Sequence, residues 1–158
     1  MKKALFPGTF DPITYGHIEI IERGLKLFDQ IVIGIGSNTA KNTMFTQLQR
    51  SAWIKKYFAN ESKITVELYN NLTVQFARSI NAQFILRGLR NAPDFEYERN
   101  IDLLNKHLDS SIETIYIISS PKTAHISSTL VREVIRYRGD LQGLVPELII
   151  KDIYALEA

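Results

Sequence analysis

The sequence predicts one doubly wound α/β domain, a five-stranded parallel sheet with helices on both faces. Three observations predict it. Five short β-type runs alternate with stretches whose apolar residues recur every three or four positions. The runs Ile31 to Ile35 and Ile115 to Ile118 are apolar almost throughout, as strands buried on both sides are. The chain has 158 residues, 45% hydrophobic and 23% charged, and no repeat, low-complexity tract or linker divides it, so residues 1–158 read as one domain.

Taken in order, the first strand is Ala4 to Phe6, ended by Pro7-Gly8 and then Asp11-Pro12. That break also leaves Met1-Lys2-Lys3 without the apolar stretch of a signal peptide. An amphipathic helix over Gly16 to Phe28 leads to the second strand, Ile31 to Ile35. Thr46 with Gln49 forms a capping box for a helix over Leu48 to Ala59. Ile64 to Leu68, Phe84 to Leu86 and Ile115 to Ile118 are the remaining strands, separated by helices over Val74 to Ile80 and Phe95 to Leu108. Two helices close the chain. One runs from about Ser128 to Arg138, with an N-cap among Ser127-Ser128-Thr129 and a stop at Gly139-Asp140; the other runs from Pro146 to Leu156.

Composition removes several classes of function. With 19 Lys and Arg against 17 Asp and Glu the net charge is +2, too small a field for a nucleic-acid or membrane-surface partner. Cysteine is absent, which removes thiol catalysis, disulfide scaffolds and thiolate zinc sites. The densest apolar run, Ile31 to Ile35, is far below the roughly 20 residues that span a bilayer. A cytoplasmic location is the expectation from these features.

In open α/β sheets ligands bind beyond the carboxyl ends of the strands, where strand order reverses. The first such loop holds Gly8, Thr9 and Gly16-His17, with His17 in the first turn of a helix whose exposed N–H groups attract anions. The second ends in Lys41. Arg87-Gly88-Leu89-Arg90 follows the fourth strand, with Arg87 directed into the crevice where the apolar run stops. After the fifth, Ser127-Ser128-Thr129 presents hydroxyls and amides at a helix start. The topology gathers these groups around one cleft suited to several phosphates. The cleft offers cations and donors but no nucleophile beside a base, so direct displacement at phosphorus is the chemistry it suits. Neither a Walker-type loop nor G-x-G-x-x-G is present, which disfavours a P-loop kinase and a dinucleotide oxidoreductase.

Four segments carry a resemblance: Pro7-Gly8-Thr9-Phe10-Asp11-Pro12-Ile13-Thr14 with Gly16-His17, then Arg87-Gly88-Leu89-Arg90, Asp94-Phe95-Glu96-Tyr97-Glu98, and Ile126-Ser127-Ser128-Thr129-Leu130-Val131. In that order the chain resembles the bacterial phosphopantetheine adenylyltransferases of the nucleotidylyltransferase superfamily, whose fold is Rossmann-like. The resemblance implies transfer of the adenylyl group of ATP to 4′-phosphopantetheine, giving dephospho-coenzyme A and pyrophosphate, with Mg²⁺ accompanying ATP. It implies a homohexamer, with coenzyme A as feedback inhibitor. By the same resemblance His17, Lys41 and Thr9 form the catalytic set, and Thr9, Lys41, Thr73 and Arg87 bind 4′-phosphopantetheine. ATP falls to Thr9, Phe10, His17, Gly88, Leu89, Arg90, Glu98 and the run Thr123, Ala124, His125, Ile126, Ser127, Ser128 and Thr129; no protein metal site is implied. The chain departs from the family at Thr123 and His125, where aromatic residues are common, and at Thr43, where proline often stands. Two other readings stay open: another nucleotidylyltransferase of the same fold, and a nucleotide-binding module without catalysis.

Overall fold

The computed structural model describes residues 1–37 and 42–156. Its elements are β1 (Lys3–Gly8), α1 (Tyr15–Gly24), β2 (Gln30–Gly36), α2 (Gln47–Tyr57), β3 (Ile64–Tyr69), α3 (Thr73–Ser79), β4 (Phe84–Leu89), α4 (Ala92–Leu108), β5 (Glu113–Ile118), α5 (Ser128–Arg136) and α6 (Glu147–Leu156). The five strands form one sheet in the order β3-β2-β1-β4-β5, with every neighbouring pair parallel.

Period-two alternation on the central strands explains why both faces are covered. Ala4, Phe6, Ile31, Ile33 and Ile35 point to one side, where they pack with Ile21 of α1, Ile54 of α2, Ile135 of α5 and Ile149 of α6. Leu5 and Val32 point to the other, against Val74, Phe76 and Ala77 of α3. A side chain as buried as Leu5, which is 0% exposed, is one whose truncation to Ala costs about 2–5 kcal/mol.

Several boundaries differ from the sequence expectation. Helix α1 stops at Gly24 rather than Phe28, where the chain tightens: the N–H groups of Lys26 and Leu27 reach back only three residues, to the carbonyls of Arg23 and Gly24. Helix α4 begins at Ala92, three residues early, since the Asn91 side chain accepts the Asp94 N–H at 2.9 Å and caps the end. Helix α5 ends at Arg136, and Arg138, at φ 52°, takes the left-handed turn before Gly139. Strand β4 continues through Arg87 and Gly88 to Leu89, paired with Tyr116, Ile117 and Ile118 of β5. Gly88 lets α1 approach this closely: a Cβ there would lie 2.8 Å from Ile20 Cγ1.

The apolar periodicity of α4 is not spent on the core. Among the described residues Glu98 is its one buried side chain, while Leu103, Leu104 and Leu108 are exposed. Among the described residues the helix packs chiefly on α3 and β4, and these leucines stay exposed.

Candidate active site

The sheet reverses its winding between β1 and β4, so the loops leaving these two strands part and open a crevice at their carboxyl ends. A cleft of about 610 Å³ lies there. The β1 loop folds back over itself. Phe10 takes φ 50°, and its buried ring packs edge-on against Phe6 and His17 at centroid distances of 5.4 and 5.0 Å. Gly8 is needed beneath that ring, since a Cβ would fall 2.7 Å from Phe10 Cζ.

Long-range polar contacts hold the loop in place. The Asp11 carboxylate, 1% exposed, accepts the N–H groups of Met44 and Phe45 at 2.8 and 2.9 Å, tying the segment before α2 to the β1 loop. Arg50 donates to the carbonyls of Phe45, at 3.0 Å, and Thr9. Arg132 donates to the Asp11 carbonyl at 2.7 Å, and the Ser128 hydroxyl donates to the Pro12 carbonyl at 2.9 Å, so the start of α5 is fastened to the same loop.

His17 is oriented through one nitrogen. The Thr14 N–H donates to Nδ1 at 3.1 Å, with the Thr14 hydroxyl 3.0 Å from the same atom. Nδ1 is therefore an acceptor, and the proton of the neutral ring sits on Nε2, available to the cleft. Burial, followed by the charges of Arg90 and Arg87, lowers the His17 pKa to about 4. At neutral pH His17 is a neutral hydrogen-bond donor.

The arginines are less free than the sequence suggests. Arg87 donates through Nε to Glu98 Oε2 at 2.8 Å, pairs through Nη2 with Glu98 Oε1, and donates through Nη1 to the Pro7 carbonyl at 2.6 Å. Arg90 pairs with Asp94 through Nε at 2.8 Å and Nη2 at 3.1 Å. Hydrogen bonding to Arg90 holds the Asp94 carboxyl below its ordinary value. Arg87, Arg90 and Arg132 line the cleft, and so do Asp11, Asp94 and Glu98. A cationic cleft is thus corrected to a balanced one among the described residues. The reason is proximity: α4 folds back over the end of β4 and brings carboxylates to both arginines. A guanidinium has five N–H donors, so pairing on one edge leaves others for a phosphate.

Of the expected site residues, Thr9, Phe10, His17, Arg87, Gly88, Arg90, Glu98, Ile126, Ser127, Ser128 and Thr129 line this cleft. Thr73 lines a second cavity of about 310 Å³, which shares Pro7, Gly8, Thr9, Arg87, Tyr97 and Glu98 with the first. Leu89 is buried in the sheet and lines neither. Thr123, Ala124 and His125 stand in the turn before Ile126 and line neither cavity: the Thr123 hydroxyl donates to Glu19, and His125 is exposed. Lys41 lies outside the described residues. Sequence reasoning missed Arg132 and Arg50. Arg132 falls one helical turn after Ser128, a spacing that marks it as a same-face neighbour; an arginine within α2 carries no such signal, because it reads as solvated.

Residues 5–134 match the cytidylyltransferase-like family. The chain is 49% identical over 151 residues to the phosphopantetheine adenylyltransferase of Christiangramia forsetii, covering 96% of this chain and 99% of that one. It is 46% identical over 151 residues to the protein of the same name from Nautilia profundicola, covering 96% and 98%. To that of Levilactobacillus brevis it is 41% identical over 155 residues, covering 98% and 96%.

Proposed function

The chain belongs to the cytidylyltransferase-like family and within it to the phosphopantetheine adenylyltransferases, which are nucleotidyltransferase enzymes, and from that premise we propose the reaction it performs. The phosphate of 4′-phosphopantetheine attacks the α-phosphorus of ATP, giving dephospho-coenzyme A and pyrophosphate, the penultimate step of coenzyme A synthesis. One observation carries this reading: two cavities, of about 610 and 310 Å³, meet at a shared wall of Gly8, Thr9, Arg87 and Glu98 beside His17. Two substrates can meet at that wall, with ATP in the larger cavity and the pantetheine arm, beside Thr73, in the smaller.

The attacking atom is a phosphate oxygen whose second proton leaves near pH 6, so no general base is required. A new oxygen–phosphorus bond forms as the bond to pyrophosphate breaks, and the proton on His17 Nε2 hydrogen-bonds to the charge that builds on the α-phosphate. Thr9, Lys41 and Arg87 hold the attacking phosphate; Arg90 and the amides at the start of α5 hold ATP. The acidic groups of the cleft are engaged by Arg87, Arg90 and the amides of Met44 and Phe45, and no cluster suited to a metal ion occurs among the described residues. In this proposal Mg²⁺ enters with ATP, whose phosphates bind it.

Exposed Leu103, Leu104 and Leu108 on α4 and Ile118 on β5 support self-association. A hexamer in the cytoplasm, restrained by coenzyme A, completes the proposal. No helix among the described residues is long and apolar enough to cross a membrane. The deciding experiment is pyrophosphate release from ATP with 4′-phosphopantetheine, nicotinamide mononucleotide or glycerol 3-phosphate as acceptor. Turnover with the first and not the others is expected, and the reverse order overturns the reading.

A further inference from the structure

Only part of the chain between β5 and α5 faces the larger cavity. Ser119 lines it, and so does the run from Ile126 to Thr129, whereas residues 120–125 line neither cavity. The two ends of this wall are held from different places. At the far end the Ser128 hydroxyl and Arg132 donate to the carbonyls of Pro12 and Asp11, at 2.9 and 2.7 Å, which fastens it to the β1 loop. The near end is fastened to α1, and the side chain that does so is Glu19.

The Glu19 carboxylate accepts the Ser120 N–H at 3.0 Å, the Ser120 hydroxyl at 3.2 Å and the Thr123 hydroxyl. Arg23, one turn along the same helix, donates to Glu19 Oε1 at 2.9 Å and to the Ile118 carbonyl at 2.6 Å, so the end of β5 is clasped as well. Within the turn the N–H groups of Ala124 and Ile126 return to the carbonyls of Ser120 and Thr123, both at 2.9 Å, and whatever fixes Ser120 and Thr123 therefore fixes Ile126. Burial acts to raise the Glu19 pKa, but the hydrogen bonds from Thr123, Arg23 and Ser120 outweigh it and hold the carboxyl below its ordinary value. Glu19 is partly buried and lines neither cavity, so any effect it has on a ligand passes through the turn. His17, two residues earlier on α1, does line the larger cavity.

We propose that Glu19 is a positioning residue for the nucleotide: by clasping Ser120 and Thr123 it sets the wall from Ile126 to Thr129 at a fixed distance from His17 before ATP arrives. This rests on the placement of ATP in the larger cavity in the reaction assigned above. One helix then carries both the donor to the reacting phosphate and the anchor of the surface that holds the nucleotide.

The test titrates the full chain calorimetrically with ATP and with 4′-phosphopantetheine and pairs each titration with steady-state kinetics. Loss of the carboxylate and release of Arg23 both leave the neighbourhood more positive, so charge alone would tighten a polyphosphate, whereas a loosened wall weakens it. Glu19→Ala should raise the Kd and KM of ATP about tenfold, the factor by which the competent population of the turn falls, with 4′-phosphopantetheine changed by less than about twofold. Saturated turnover should stay within about twofold of the parent, since bound ATP orders the turn. Glu19→Gln keeps the length and one carbonyl acceptor and should recover most of the loss. Thr123→Val removes one hydroxyl donor; it should raise the Kd of ATP about threefold and add little to Glu19→Ala, because the two side chains act as one unit. If Glu19→Ala does not fold, Thr123→Val reads the same loss, confined to ATP, by itself. Unchanged or tighter ATP binding in either variant, equal weakening of both ligands, additive losses in the double variant, or a fall in saturated turnover each overturn the assignment. A parent without affinity for ATP overturns the assigned reaction as well. A parent that binds ATP and turns over, with variants that bind ATP as it does, overturns the role of Glu19 alone.

Discussion

Replacing His17 by Ala removes the neutral donor that Thr14 orients, and the structure sets two magnitudes for the consequence. If Nε2–H stabilises the charge developing on the α-phosphate, kcat should fall about 100-fold or more, with a much smaller change in the KM of either substrate. The second magnitude comes from the proton. The folded His17 pKa lies near 4 and the unfolded one near 6.5. Between those values the unfolded chain binds a proton that the folded chain refuses, so stability falls as pH falls through 6.5 and stops falling from this cause below 4. Integrating to about pH 4.5 gives a loss of roughly 2.5 kcal/mol relative to neutral pH, present in the parent and absent from His17→Ala. Urea unfolding of both proteins near pH 7.5 and pH 4.5 measures the difference of differences, from which other titrating groups cancel. Nitrogen NMR of the parent should show the proton on Nε2 and a midpoint near 4. A His17 that titrates near 6.5, an equal acid sensitivity in both proteins, or saturated turnover of His17→Ala within a few-fold of the parent would refute the reasoning.

Arg87→Ala should weaken 4′-phosphopantetheine more than ATP, and Arg90→Ala the reverse, by calorimetric titration; equal losses for both ligands would reduce the pair to a general charge effect. Lys in place of either should rescue only in part, since it lacks the planar fork. Arg87→Ala should also cost about 3 kcal/mol of stability by leaving the buried Glu98 carboxylate unpaired, whereas Arg90→Ala, at a more exposed pair, should cost about 1 kcal/mol or less. Asp11→Ala leaves the Met44 and Phe45 amides without their acceptor and should cost about 3 kcal/mol in urea unfolding; a loss below about 1 kcal/mol would show that the loop is held by other contacts. His125→Phe changes an exposed residue outside both cavities, so the Kd for ATP should stay within about twofold from pH 6 to 8, and a pH-dependent difference between the two proteins would place this turn on the nucleotide.

What the sequence by itself determined is local in origin. The apolar alternation of Ala4 to Phe6 and Ile31 to Ile35, the capping pair Thr46 and Gln49, and the Ser127 cap involve residues two to four positions apart, where backbone geometry leaves few choices. These suffice for a parallel sheet with helices on both faces, and the parallel sheet in turn brings the loop ends carrying Thr9, His17, Arg87 and Ser127 to one edge. The tertiary structure decided what those side chains are once they meet. Arg87 finds Glu98 only because α4 turns back over β4, and Asp11 meets the amides of Met44 and Phe45, 33 and 34 residues away, and Arg132, 121 residues away. The low pKa of His17, the balanced charge of the cleft among the described residues and the exposed leucines of α4 belong to the same class. Each depends on which groups surround an atom and how much water reaches it, and dielectric and partner distance are properties of the folded neighbourhood that no spacing along the chain encodes.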